Sequence, residues 1–286
     1  MSIIEIKNEK LSVGINTIGS ELMHISTNRG TEILWNGDPD VWSLRAPLLF
    51  PICGGLKDGR FCHNNRFYSL EKHGFAQKTE FMPVRQNNTI AEFILESNKE
   101  TKKVYPFDFR LRIIYELIGN KLKISQVVEN LSKETMYFSI GAHEGYSCPE
   151  GIEEYKIVFE EIQTLDSFIL DGDLLENNSV RIIENSNELP LKYEYFAVDA
   201  LVFKNIKFNK ATLARNDGTK IVSVEFDKAE YFLLWTKPDA KYICLEPWCG
   251  IQDIVGSSYE LKEKEGIISL EKGGCFTFTH TIECLV

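Results

Sequence analysis

Arg110-Leu111-Arg112-Ile113-Ile114-Tyr115-Glu116-Leu117 is followed by Ile118, by Gly119-Asn120, and then by Lys121-Leu122-Lys123-Ile124-Ser125-Gln126-Val127-Val128. Leu111, Ile113, Tyr115 and Leu117 fall on one side of an extended chain, the period of two that marks a half-buried strand. The Gly-Asn pair supplies the positive φ that a tight turn between two such runs requires. The stretch therefore reads as an antiparallel hairpin.

The same period recurs outward from it. Residues 267–270 and 275–282 flank Gly273-Gly274 and read as a second hairpin, with Phe276, Phe278, His280 and Ile282 on one side and Thr277, Thr279 and Thr281 on the other. Residues 220–226, 231–236 and 242–246 are further strand-like runs. No segment longer than about ten residues carries a helical period. The chain is expected to be all-β and mostly antiparallel, and 286 residues of it need large stacked sheets or a barrel to cover their faces. No internal repeat, low-complexity tract or linker breaks it, so residues 1–286 read as one domain.

Hydrophobic residues make up 43% and charged residues 26%, which excludes disordered and fibrous classes. With 32 basic and 42 acidic residues the net charge is −10, which argues against nucleic acid and anionic membrane surfaces as partners. No basic-then-apolar leader and no apolar run of spanning length is evident. The seven cysteines are odd in number and include no Cys-x-x-Cys pair. Reduced thiols in a cytoplasmic protein are the expectation. Neither Cys62-His63 nor Cys244 with Cys249 has zinc-ligand spacing, so no metal is expected.

Of the five histidines, His280 lies on the apolar side of its strand and reads as a hydrogen-bonded core residue, while His24 and His63 read as structural or surface groups. His73, in Lys72-His73-Gly74-Phe75-Ala76, and His143, in Ile140-Gly141-Ala142-His143-Glu144-Gly145, stand beside small residues that leave room for a ligand. Alternation puts His143 with Tyr137, Ser139 and Gly141, away from the apolar side of its run. A surface histidine at a strand end is the competing reading. In Tyr242-Ile243-Cys244-Leu245-Glu246-Pro247-Trp248, Glu246 shares a side with Tyr242 and Cys244 and is held extended by Pro247. A carboxylate against aromatic surface has a cause for a raised pKa, as a general base requires; an ion pair with a nearby Lys or Arg is the alternative. Trp35, Trp42, Trp248 and Phe75 lie close in sequence to these polar groups, as suits a sugar site, although aromatic residues more often fill a core.

Ala46-Pro47-Leu48-Leu49-Phe50-Pro51, Lys72-His73-Gly74-Phe75-Ala76, Ile140-Gly141-Ala142-His143, Asp199-Ala200-Leu201-Val202-Phe203 and Leu245-Glu246-Pro247-Trp248-Cys249-Gly250-Ile251-Gln252-Asp253 occur in this order. Together they resemble the aldose 1-epimerase (galactose mutarotase) family, in particular its shorter bacterial branch. The resemblance implies a β-supersandwich that interconverts the α and β anomers of an aldose without a cofactor, its partner being a small-molecule sugar. It implies His143 as general acid, Glu246 as general base, and His73, Asp199 and Trp248 as sugar-binding residues. Two positions depart from the family pattern. Gly55 stands where relatives often carry an arginine, so Arg60 or Arg45 is expected to reach the site instead. Glu144 follows His143 where relatives usually have proline. Three alternatives remain beside the mutarotase: a non-catalytic sugar-binding or sensor protein, a sugar-phosphate mutarotase with a basic cluster at the cleft mouth, and a glycoside hydrolase using Glu144 and Glu246.

Overall fold

The computed structural model describes residues 2–286 and is almost entirely β. The hairpin forms as read: Phe109–Ile118 pairs with Lys121–Asn130, and Leu111, Ile113, Tyr115 and Leu117 are all buried. Ile118 lies opposite Lys121, which leaves a two-residue turn, and of its two residues only Gly119 takes a positive φ, 59°. Glycine at the first central position is the type II′ arrangement, whose twist matches that of the flanking strands.

This hairpin sits within a single antiparallel ladder. From one edge it runs Ile140–Gly141, Tyr242–Cys249, Tyr231–Trp235, Leu201–Lys204, Tyr155–Asp171, Lys210–Arg215, Lys220–Phe226, Cys275–Cys284, Lys121–Asn130, Phe109–Ile118, Ile90–Glu96 and Met82–Gln86. Glu144–Ser147 also pairs with Tyr242–Cys249, and Leu174–Pro190 folds back on Tyr155–Asp171 as a long hairpin. Ile3–Lys7, Leu11–Asn16 and Leu22–Thr27 make a separate three-stranded sheet whose inner face joins the same apolar core. Among the described residues no helix exceeds four residues, the α-helix Thr101–Val104 being one of that length, and none is long and apolar enough to cross a membrane. All seven cysteines are free, six of them buried and Cys275 exposed.

The second hairpin does not form. Ile268–Leu270 pairs with Met136–Phe138 instead. Cys275–Glu283 pairs along one side with Lys121–Glu129, and its far half, His280–Cys284, pairs on the other side with Val222–Phe226. The facing of the strand is as read: Phe278, His280 and Ile282 are buried, and the threonines between them are only half-buried.

Alternation sorts the strands at the functional end of the sheet into two faces. Ile243, Leu245 and Cys249, with Phe232, Leu234, Leu201 and Phe203 on the neighbouring strands, enter the main core. Tyr242, Cys244, Glu246 and Trp248, with Leu233 and Trp235, lie on the other face, where two smaller apolar clusters form. Gly141 is the close approach that allows this second face to pack. A Cβ there would lie 2.6 Å from Cδ1 and 2.9 Å from Cγ of Trp248. Gly141→Ala should therefore displace the indole and lower stability by about 1–3 kcal/mol, the usual cost of overpacking. A urea titration that shows an unchanged midpoint would contradict the placement of Trp248 against this backbone.

Candidate active site

His143 and Glu246 are brought together by strand register. Gly141 lies opposite Trp248 and Glu144 opposite Leu245. Continued through the two residues between, the same register sets Ala142 against Pro247 and His143 against Glu246. The Ala142 N–H donates to the Pro247 carbonyl at 3.1 Å. That makes Ala142–Pro247 a hydrogen-bonded position and His143–Glu246 a non-hydrogen-bonded one, the kind in which cross-strand side chains stand closest. His143 Nε2 lies 3.4 Å from Glu246 Oε2. Proline has no N–H to return to Ala142, and the Ala142 carbonyl instead accepts a hydrogen bond from Trp248 Nε1 at 3.1 Å. Pro247 thus removes a backbone donor and the next residue replaces it with an indole, which fixes the Trp248 ring beside the couple.

These groups line a cleft of about 200 Å³ together with Trp42, Trp235, Lys72, His73, Asp199, Leu170, Gly54 and Gln252. Trp42 and Trp235 close on His143, with ring centroids 5.5 and 5.6 Å from the imidazole. Trp42 also stacks on Tyr242 at 5.0 Å. His73 stands edge-on to His143 at 5.5 Å and to Trp248 at 5.6 Å. Its backbone is left-handed, φ 66°, an uncommon state for a non-glycine residue. The Gly54 N–H donates to its Nδ1 at 3.1 Å, which assigns the imidazole proton to Nε2 and makes that nitrogen a donor.

Burial opposes charge on all three titratable groups. It pushes His143 down to about 3, with the Lys72 ammonium adding in the same direction. It holds His73 well below the ordinary histidine value, helped by His143 and Lys72. It raises Glu246 well above the ordinary carboxylate value, and the Asp199 carboxylate raises it further. A single proton shared by the couple therefore rests on the carboxyl. Moving it to His143 creates the carboxylate–imidazolium state. Glu246 Oε2, His143 Nδ1 and Gln252 Oε1 are buried without hydrogen-bond partners, so a hydroxyl-rich ligand has polar atoms to satisfy.

The structure brings His143, Glu246, His73, Asp199 and Trp248 to one cleft. It does not bring Arg60 or Arg45. Arg60 lies over the rings of Phe67 and Tyr259 and beside Asp58 at the surface. The Arg45 guanidinium is taken up by the Asn36 carbonyl, 2.5 Å away, next to Gly37. The cation that reaches the cleft is Lys72, whose Nζ contacts Asp173 at 2.8 Å and Asp199 at 3.4 Å. In the sequence Lys72 stands out only as part of the Lys72-His73-Gly74 motif, and Trp235 only as a member of a strand-like run. Trp35 packs behind the cleft against Tyr242 at 4.9 Å, and Phe75 packs against the core.

Glu144 faces away from the site, since it shares a side with Leu245 and not with Glu246. It is buried on the core side, where its Oε1 meets Nε2 of the equally buried His280 at 2.9 Å. The pairing of Glu144 with Glu246 that a glycoside hydrolase would need is therefore not available. Cys244 joins His143 and Glu246 to form the group that could hold a metal, their donor atoms lying within 4.8 Å of one another. An ion bound there would occupy the histidine and the carboxylate together.

The charge-averse cleft has a consequence for stability. In the unfolded chain Glu246 titrates at its ordinary value of 4.5, whereas the fold holds the proton to higher pH. Between the two, unfolding releases a proton that the native state keeps, so rising pH favours unfolding. Glu246→Gln has no such proton. Its stability relative to wild type should increase with pH above about 4.5, read as urea midpoints at several pH values. A difference that stays constant from about pH 5 to about pH 9 would show that the carboxyl is not held protonated.

The aldose 1-epimerase family model matches residues 2–281. The chain is 34% identical over 275 residues to the chromosomal LacX protein of Lactococcus lactis, covering 91% of this chain and 92% of that one. Among solved structures it is similar to a galactose mutarotase related enzyme from Lactobacillus acidophilus, with a TM-score of 0.93, 29% identity and coverage of 99% and 97% of the two chains. A galactose mutarotase-like protein from Lactobacillus casei superposes with a TM-score of 0.93 at 25% identity, covering 99% of both chains.

Proposed function

The chain belongs to the aldose 1-epimerase family, and from that premise we propose that it interconverts the α and β anomers of a free, unphosphorylated aldose as a single catalytic domain. The observation that carries this reading is the His143–Glu246 couple, 3.4 Å apart and buried, with Oε2 of the carboxylate unpartnered in an aromatic cleft. Mutarotation needs one proton taken from the C1 hydroxyl and one delivered to the ring oxygen. The ring then opens, C1–C2 rotates, and the ring closes from its other face. A carboxylate and an imidazolium suffice for both transfers, and the pair returns to its starting state after each turnover.

The sugar itself supplies hydrogen-bonding partners to the couple. Its hydroxyls solvate the unpartnered oxygen and nitrogen, which lowers the cost of moving the shared proton from Glu246 to His143. Glu246 is then the base toward the C1 hydroxyl and His143 the acid toward the ring oxygen. His73 donates from Nε2 to a sugar oxygen, Asp199 accepts from hydroxyls, and the Trp248 and Trp42 rings offer apolar faces to the C–H side of the ring. A sugar phosphate finds no free cation here, because Lys72 is already held by Asp173 and Asp199. A binding protein without activity would have no use for a couple this costly to bury, and polarimetry separates the two readings.

With freshly dissolved α-D-glucose or α-D-galactose, the protein should accelerate the approach to optical equilibrium. Glu246→Gln should cut that rate by about 10²–10⁴-fold while still binding sugar. His143→Asn should lower kcat more than it raises KM, and His73→Asn should act at least as much on KM. A Gln variant that keeps more than about a tenth of the wild-type rate would remove Glu246 from the role of base.

A further inference from the structure

The hairpin formed by Tyr155–Asp171 and Leu174–Pro190 ends in a two-residue turn, Gly172-Asp173, with Gly172 at φ 59°. Its tip is docked onto the cleft. The Leu175 N–H donates to the Asp253 carbonyl at 2.9 Å, and the Val255 N–H donates to the Leu175 carbonyl at 2.8 Å. The Leu175 side chain is buried with Leu49, Cys53, Trp248 and Ile251, and Leu170 on the opposing strand lines the cleft itself.

Asp173 makes two contacts from this tip. Its carboxylate reaches Lys72 Nζ at 2.8 Å, and Lys72 reaches on to Asp199 at 3.4 Å. Its Cβ lies so near Gly55 that a Cβ added to the glycine would be 2.6 Å away. Gly55 is therefore the residue that lets the tip close down, and the space an arginine would enter from position 55 is filled by Asp173. The ion pairs are half exposed and contribute little to stability. Their effect is positional, since they tie the tip through Asp173 to Lys72 and Asp199, the two of the three that line the cleft.

We propose that Asp173 is a specificity-determining residue, by which the hairpin tip closes the cleft beyond Lys72 and restricts it to a single pyranose ring. The inference rests on the reading of the site as an aldose site. With C1 at the His143–Glu246 couple, O4 is the hydroxyl oxygen across the ring from it, and the proposal is that a second sugar on O4 is what the tip excludes.

Glucose is the matched probe against maltose and lactose, which are glucose substituted at O4 and retain a free anomeric carbon. Trp42, Trp235 and Trp248 line the cleft, so quenching of intrinsic fluorescence reads binding without catalysis, and polarimetry reads turnover beside it. Wild type should bind glucose at least about tenfold more tightly than either disaccharide, a difference of about 1.4 kcal/mol. Asp173→Ala should shrink that ratio several-fold, mainly by improving the disaccharides. Gly55→Ala, which pushes on the same contact from the other side, should do the same and serves if the first variant fails to fold. Equal binding of glucose and disaccharides by wild type, or a ratio unchanged in both variants, overturns the proposal. Selective binding without any mutarotation leaves it standing and defeats the catalytic reading instead. Absence of binding by every sugar defeats both.

Discussion

The pairing of one strand, Tyr242–Cys249, with the broken strand Ile140–Gly141 and Glu144–Ser147 is the constraint on which the site depends. The two pieces keep one register, so the residues at the break face each other without a bulge. His143 and Glu246 are neighbours because the ladder leaves them no other place. Pro247 makes the break tolerable: it withholds one backbone hydrogen bond, and Trp248 restores the lost donor from its side chain. Gly141 then admits the indole. Four consecutive requirements of backbone chemistry thus fix the position of two side chains that share no local sequence.

The same strand separates two environments. Its odd-numbered residues hold the main core, and its even-numbered residues carry the cleft. This arrangement explains why Glu246 and Glu144, although both near His143, behave as unrelated groups. Glu246 looks into an aromatic box that penalises its charge, whereas Glu144 is matched by His280 within the core. An acid–base couple whose burial disfavours charge is poised to respond to whatever polar surface a ligand brings.

How much of this was legible depended on the range of the interactions. The hairpin around Gly119-Asn120 was readable because period, turn and pairing are all local. The sides taken by Glu246 and His143 were readable for the same reason, since alternation needs only neighbours in sequence. Pairing choices were not. Ile268–Leu270 lies next to Cys275–Cys284 in the chain and still pairs with Met136–Phe138, a partner 130 or more positions away that no local pattern announces. Arg60 and Arg45 looked available because arginine is long, but Tyr259 and Asn36, distant or unremarked in sequence, hold them elsewhere. Lys72 is placed by Asp173 and Asp199, which reach it from a hairpin turn and a loop more than 100 positions away in sequence. The Gly172-Asp173 turn of the long hairpin is a local feature, but nothing in it announces that the tip reaches Gly55.

The buried Glu144–His280 contact links a residue beside the couple to the last strand of the sheet, across 136 positions of chain. Neither group can be lost alone without leaving a polar atom stranded in the core, a penalty of about 1–3 kcal/mol. A chain with proline at position 144 has no carboxylate to offer, so its counterpart of position 280 should be apolar. The two positions should therefore drift together through descent, and the joint presence of an acid and an imidazole at them would mark a lineage within the family independently of which sugar its members handle.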